Sequence, residues 1–181
     1  MLSEQFLTEV ALIPNKDLGV ELLRRLINDE IRARRRTSLV QARRFSDMLS
    51  GAIERYNEQA ASAVEILNEL IEMAKGFEAA TKRGEELGLS DDELAFYDAL
   101  AVNDSAVQVL GDEKLTLLAQ KLVQKVRSNI SIDWELRESA RARMRVEVKK
   151  LLRRYGYPPD KQKLATETIV KQAEAFSREW N

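Results

Sequence analysis

Six arginines crowd one short run of the chain: Arg32, Arg34, Arg35, Arg36, Arg43 and Arg44. Guanidinium groups at that density suit phosphate, whose oxygens a planar fork of N–H donors can meet two at a time. The same run also fits a solvated helix end, where charges face only water. A second cationic set, Arg145, Lys149 and Arg153, recurs every four residues or so on a later helix and is free for an outside partner. These nine residues are the candidate contacts to nucleic acid or to a protein. On the later helix Arg137 and Arg141 project towards the apolar side instead. An unpaired charge there is costly, so each calls for a carboxylate. Glu93 and Asp98, on a short acidic helix, are the expected partners in structural ion pairs. Trp134, Tyr155 and Tyr157 could stack on bases, but they sit at core spacing or at a helix stop, which favours packing.

Much chemistry is closed to this composition. The 181 residues include no histidine and no cysteine. That removes disulfides, thiolate nucleophiles, histidine bases and the usual zinc ligands. No phosphate loop of the G-x-x-x-x-G-K-[ST] type and no G-x-G-x-x-G turn occurs. Asp91, Asp92 and Glu93 are adjacent, yet consecutive helical residues point apart. They read as cap and dipole charges rather than as metal ligands. No catalytic, cofactor-binding or metal-binding residue is therefore expected. No run of about 18 apolar residues exists, and the first ten residues lack the pattern of a signal peptide. A cysteine-free chain of this kind fits the cytoplasm.

The net charge of −1 hides three blocks. From 21 to 44, eight arginines face three acids; from 84 to 113, nine acids face no Lys or Arg; from 134 to 154, eight cations face three acids. Such blocks can steer partners or neutralise one another within one bundle.

The elements that must hold these groups are helical throughout. Only 7 Gly and 3 Pro interrupt the chain, and apolar residues recur at threes and fours. A short helix over 3–13 ends at Pro14. Asn15 caps a second, whose predicted inner face is Leu18, Leu22, Leu26 and Ala33. From Ser38 to Phe77 a near-heptad seam predicts one long helix, paired with its predecessor in a hairpin. Met48, Ile53, Val64, Ile66, Ile71 and Met73 lie off that seam and could face a partner. Ser90 to Glu93 is a capping box that opens the short acidic helix. Asn103 caps a turn ending at Gly111, and Asp112 opens a helix with Leu115, Leu118, Leu122 and Val126 inside. A helix capped at Ser131 or Asp133 carries Leu136, Ala140, Met144, Val148, Leu151 and Tyr155 on one face, and stops at Gly156 before Pro158-Pro159. The last helix buries Ala165, Ile169, Ala173, Phe176 and Trp180. The expectation is an all-α bundle of about seven helices, with a hairpin region over 1–83 and a compact bundle over 84–181.

Four stretches carry a resemblance: Leu89-Ser-Asp-Asp-Glu-Leu-Ala-Phe-Tyr-Asp-Ala-Leu-Ala101, Leu110-Gly-Asp-Glu-Lys-Leu115, Ile132-Asp-Trp134 and Arg154-Tyr-Gly-Tyr-Pro-Pro-Asp-Lys-Gln162. With Asn15-Lys-Asp-Leu18, Asn28-Asp-Glu-Ile31 and Phe45-Ser-Asp-Met48, their order and spacing resemble the C-terminal helical region of type I restriction enzyme R subunits. The resemblance implies one C-terminal domain excised from a larger bacterial or archaeal subunit, with Met1 an artificial start. It implies methyltransferase core subunits as partners, with duplex DNA nearby and no membrane or small-molecule substrate. ATP and magnesium would belong to the absent motor and nuclease domains, and the family assigns this region no catalytic residue to carry over. The readings open at this point are an assembly module, a DNA-contacting module using Arg32–Arg44, and a free-standing helical regulator unrelated to restriction.

Overall fold

The computed structural model describes residues 2–130 and 138–180. Among these there are eight α-helices and no strand: α1 (Glu4–Ala11), α2 (Lys16–Thr37), α3 (Leu39–Asn57), α4 (Ala63–Glu86), α5 (Asp91–Ala101), α6 (Asp104–Asn129), α7 (Glu138–Arg154) and α8 (Gln162–Trp180). A 3-10 turn over Pro159–Lys161 precedes α8. The all-α expectation therefore holds. The proposed cap at Ser131 or Asp133, together with Leu136, lies outside the described residues.

Local signals start and stop these helices. The Asn15 side chain accepts from the Leu18 N–H, and Asn103 does the same for Ser105. At α5 the Ser90 hydroxyl accepts from the Glu93 N–H while the Glu93 carboxylate accepts from the Ser90 N–H. Gly88 and Gly156 end helices at φ 65° and 74°. In each case the next N–H reaches back five residues, Leu89 to Gly84 and Tyr157 to Leu152, so the last carbonyls are satisfied. Gly111 sits inside α6 at φ 69°, ψ 171°. That conformation is closed to residues with a Cβ, and it makes the turn expected there.

One expectation is corrected. The seam from Ser38 to Phe77 is not a single helix but α3 and α4, broken at residues 58–62. Gln59 takes φ 55°, and Ala60 N–H bonds back to the Arg55 carbonyl at 2.9 Å, a glycine-type stop built on glutamine. Ser62 then opens α4 by a reciprocal cap with Glu65. The motif Ser62-Ala-Val-Glu65 is a capping box in plain view; the near-perfect apolar spacing on either side masks it. Ser62→Ala is expected to cost about 1 kcal/mol, and Ser62→Gly only a few tenths. Urea melts check this, and a wild-type midpoint for the alanine variant would mean the cap is idle.

The chain forms two compact units, Met1–Arg35 with Gln41–Arg83, and Arg36–Val40 with Gly84–Asn181. In the first, Leu23, Ile27, Ala52, Ile66, Leu67 and Leu70 are nearly or fully buried in one core. The Phe45 and Phe77 rings lie 3.9 Å apart, tilted by 36°. A Cβ at Gly76 would stand 3.2 Å from the Phe45 ring, so the absence of a side chain there makes room for the ring. The predicted inner face of α2 is also corrected: Val20, Leu23, Ile27 and Ile31 are buried, whereas Leu18 is 58% exposed and Ala33 faces solvent. Leu22 only flanks the core.

In the second unit α5 is the centre. Every residue from Leu94 to Leu100 is buried, as expected of a helix covered all round, and both α6 and α8 pack on it. Phe96 meets Phe176 at 5.6 Å. The Tyr157 hydroxyl donates to the Leu100 carbonyl at 2.8 Å. Leu115, Leu118, Leu122, Val126, Ala165, Ile169, Ala173 and Phe176 are buried as expected; the Trp180 side chain lies outside the description. The fully buried Gln172 amide accepts from Leu39 N–H at 2.9 Å and donates to the Thr37 carbonyl at 3.2 Å. Both ends of a buried polar group are thereby satisfied.

Candidate partner and nucleic-acid surfaces

In the first unit the arginine run divides. Arg32 and Arg43 lie on the surface, 77% and 86% exposed, at 3.7 Å from Asp29 and 3.9 Å from Asp47. Such exposed pairs contribute little, so both cations remain available. Arg35 and Arg44 are exposed too.

Arg34 is not a surface contact, which corrects its place in the set. Its side chain is only 15% exposed. The guanidinium donates to Glu30 at 3.1 Å, to the Gln41 side chain, to the Phe77 carbonyl at 3.0 Å and to the Thr81 hydroxyl at 3.3 Å. It also lies 5.0 Å over the Phe77 ring. Arg34 is thus an internal clamp on α2, α3 and α4, with its donors spent inside the unit.

The six off-seam apolar residues also divide. Ile66, Ile71 and Met73 belong to the core, which corrects their assignment to a partner-facing strip. Met48 and Val64 are 40% and 49% exposed, and Ile53 is half-buried. Between α2 and α3 lies an open cleft of about 490 Å³ lined by Arg24, Asn28, Leu49, Ile53, Glu54 and Asn57 among others. Its open mouth lacks the enclosure of a small-molecule site.

In the second unit Arg36 is exposed. On α7, Met144, Val148 and Leu152 are buried, so the opposite side faces out. Arg145 is not free: it bonds Glu138 at 2.8 Å, and the guanidinium beside it holds the Glu138 carboxyl below its ordinary range. Arg141 has the anionic partners its position demands, but they are Glu138 at 3.3 Å and Glu174 at 3.5 Å. They are not Glu93 or Asp98. Glu93 is engaged in the α5 cap, and Asp98 is buried. Arg137 and Trp134 lie outside the described residues. Asp92 pairs with Arg127 at 2.6 Å, and Asp112 accepts from the Tyr97 hydroxyl at 2.6 Å. Lys125 and Lys150 converge on Glu147 at 2.9 and 3.0 Å, and together they pull its carboxyl below the usual range. Among the described residues, no three carboxylates gather as a metal site would require. Tyr157 is buried and Tyr155 packs against the core, so neither is presented for base stacking.

Lys149 and Arg153 remain exposed, as expected. Arg143 and Arg154 join them on the outer face. Both belong to the basic block over 134–154 but fall outside the every-fourth-residue set of Arg145, Lys149 and Arg153. A projection at about 100° per residue, from about 3.6 residues per turn, is the signal that finds them.

The fold and these surfaces define an all-α protein whose chemistry-bearing groups, among the described residues, are exposed cations and ion pairs. Over residues 1–179 the chain matches the family described as type I restriction enzyme HindI endonuclease subunit-like, C-terminal. It is 39% identical over 179 residues to the type I restriction enzyme HindI endonuclease subunit of Haemophilus influenzae, covering 99% of this chain and 17% of that one. It is 30% identical over 157 residues to a Methanocaldococcus jannaschii chain named for a type I restriction enzyme MjaIXP endonuclease subunit, covering 86% and 15%. No solved structure matches the chain. This chain belongs to the family of C-terminal regions of HindI-like type I restriction endonuclease subunits. It spans about a sixth of the length of these curated relatives. Membership sets aside the reading of a regulator unrelated to restriction. No helix among the described residues is long and apolar enough to cross a membrane.

Proposed function

We propose that the chain is a non-catalytic assembly module. It docks the ATP-dependent translocase and nuclease of a type I restriction R subunit onto the methyltransferase-specificity core, in the cytoplasm. One observation carries this reading: the chain corresponds along nearly its whole length to a C-terminal region, yet to only 17% of a subunit named for endonuclease activity. In this reading ATP and magnesium act in the rest of the subunit. The exposed residues Met48, Val64, Arg32, Arg35, Arg43 and Arg44 supply the mixture of apolar and arginine contacts that protein interfaces favour.

The test mixes the 181-residue chain with the purified cognate methyltransferase-specificity core and weighs the products by mass photometry. A complex with a Kd of about 1 μM or tighter, near −8 kcal/mol, is the expected result. The chain alone should release no phosphate from ATP when DNA is added. Failure to bind the core at ten times that concentration, or DNA-stimulated ATP turnover, overturns the proposal.

A further inference from the structure

The outer face of α7 has no role in the docking proposal. Arg143, Lys149, Arg153 and Arg154 are all exposed there. None has a carboxylate within ion-pair distance among the described residues. The acids of α7 are already committed, Glu138 to Arg141 and Arg145, and Glu147 to Lys125 and Lys150. On a projection at about 100° per residue the four cations flank Val146, which is 50% exposed, on the side opposite Met144, Val148 and Leu152. Among the described residues, these four cations thus form a strip on one helix with no carboxylate paired to it.

The composition of that strip selects its partner. Protein interfaces favour arginine but centre on desolvated aromatic and large aliphatic anchors. This face offers only Val146. Single-stranded nucleic acid is held by aromatic platforms as well as charge, whereas among the described residues Tyr157 is buried and Tyr155 packs against the core. Cations without anchors or platforms fit the phosphates of a duplex, which need neither. From Arg143 to Arg154 the helix advances about 16 Å at about 1.5 Å per residue. That exceeds the roughly 12 Å width of a major groove, so the strip can touch both backbones beside it. We infer that the outer face of α7 binds the phosphate backbone of duplex DNA without regard to sequence, through Arg143, Lys149, Arg153 and Arg154. This site is independent of the docking proposal.

The test is fluorescence anisotropy of a labelled random-sequence duplex with the 181-residue chain across a range of salt. Four contacts predict a slope of log K against log salt of about −3.6. Changing all four cations to glutamine should weaken binding at low salt at least about tenfold and flatten the slope. Lys149→Gln alone should reduce the slope by about 1. These exposed substitutions leave the core intact, which circular dichroism verifies. Arg35→Gln with Arg44→Gln, in the other unit, should change affinity less than about twofold if the α7 cations carry the counterion release. Polyglutamate of equal charge should fail to displace the duplex, and a single strand of equal length should bind more weakly. The inference is overturned if the wild-type chain leaves the duplex unbound, if the fourfold variant binds as wild type, or if the Arg35/Arg44 variant loses as much. Equal competition by polyglutamate would point to an acidic polypeptide and also overturn it, as would tighter binding of the single strand.

Discussion

Phe96→Ala should lower the stability of the second unit by about 4 kcal/mol, within the range of about 3–5 kcal/mol for burying and then deleting a core phenylalanine. The ring is fully buried and lies against Phe176 at an interplanar angle of 59°, an edge-tilted contact that adds to the area term. The surroundings make relaxation hard. Helix α5 is buried on every side, with α6 and α8 both packed on it, so no exposed flank can move in to fill the space. Close-packed interiors resist such collapse. With an m-value of roughly 2 kcal/mol/M in urea, the unfolding midpoint should fall by about 2 M with little change in slope. Val102→Ala, at the end of the same helix where the residue is 52% exposed, should move the midpoint by less than about 0.3 M. A shift for Phe96→Ala no larger than this control would mean that α5 is not the centre of the unit.

Arg34→Ala should destabilise the first unit by about 2–4 kcal/mol, with the loss arising from what the guanidinium leaves behind. The ion pair with Glu30 contributes little, because Glu30 is 37% exposed and screened. The larger cost falls on Gln41, only 6% exposed, and on the Phe77 carbonyl, both of which lose a charged donor in a dry setting. The contact over the Phe77 ring is lost as well. Arg34→Lys should recover little, since one ammonium cannot reach Gln41, Phe77 and Thr81 from the positions of a planar fork. Arg35→Ala, one residue along on the exposed side, should stay within about 0.5 kcal/mol of wild type. Urea melts of the three variants settle the matter. Equal midpoints for Arg34→Ala and Arg35→Ala would return Arg34 to the surface set.

The sequence by itself determined the class of fold and most of the helix ends. The signals concerned act within one turn: Asn15, Ser90 with Glu93, and Asn103 reach N–H groups two or three residues on, and Gly88 and Gly156 set their own φ. The order of short motifs also identified the family. Tertiary structure decided what one-dimensional periodicity leaves degenerate. Helix α2 carries two overlapping apolar stripes, and only its packing partners select Val20, Leu23, Ile27 and Ile31 over Leu18 and Ala33. Across the corner that the break at 58–62 makes, the Arg55 guanidinium reaches Glu69 at 2.6 Å, a pairing that spacing along one helix does not specify. The division of the arginines depended on still longer range. Arg34 meets a carbonyl 43 residues away and Arg141 a carboxylate on α8, while Arg143 and Arg154 meet none among the described residues. A charged side chain is inside or outside according to whether the folded chain brings it a partner, and spacing along one helix cannot specify a partner that another helix supplies.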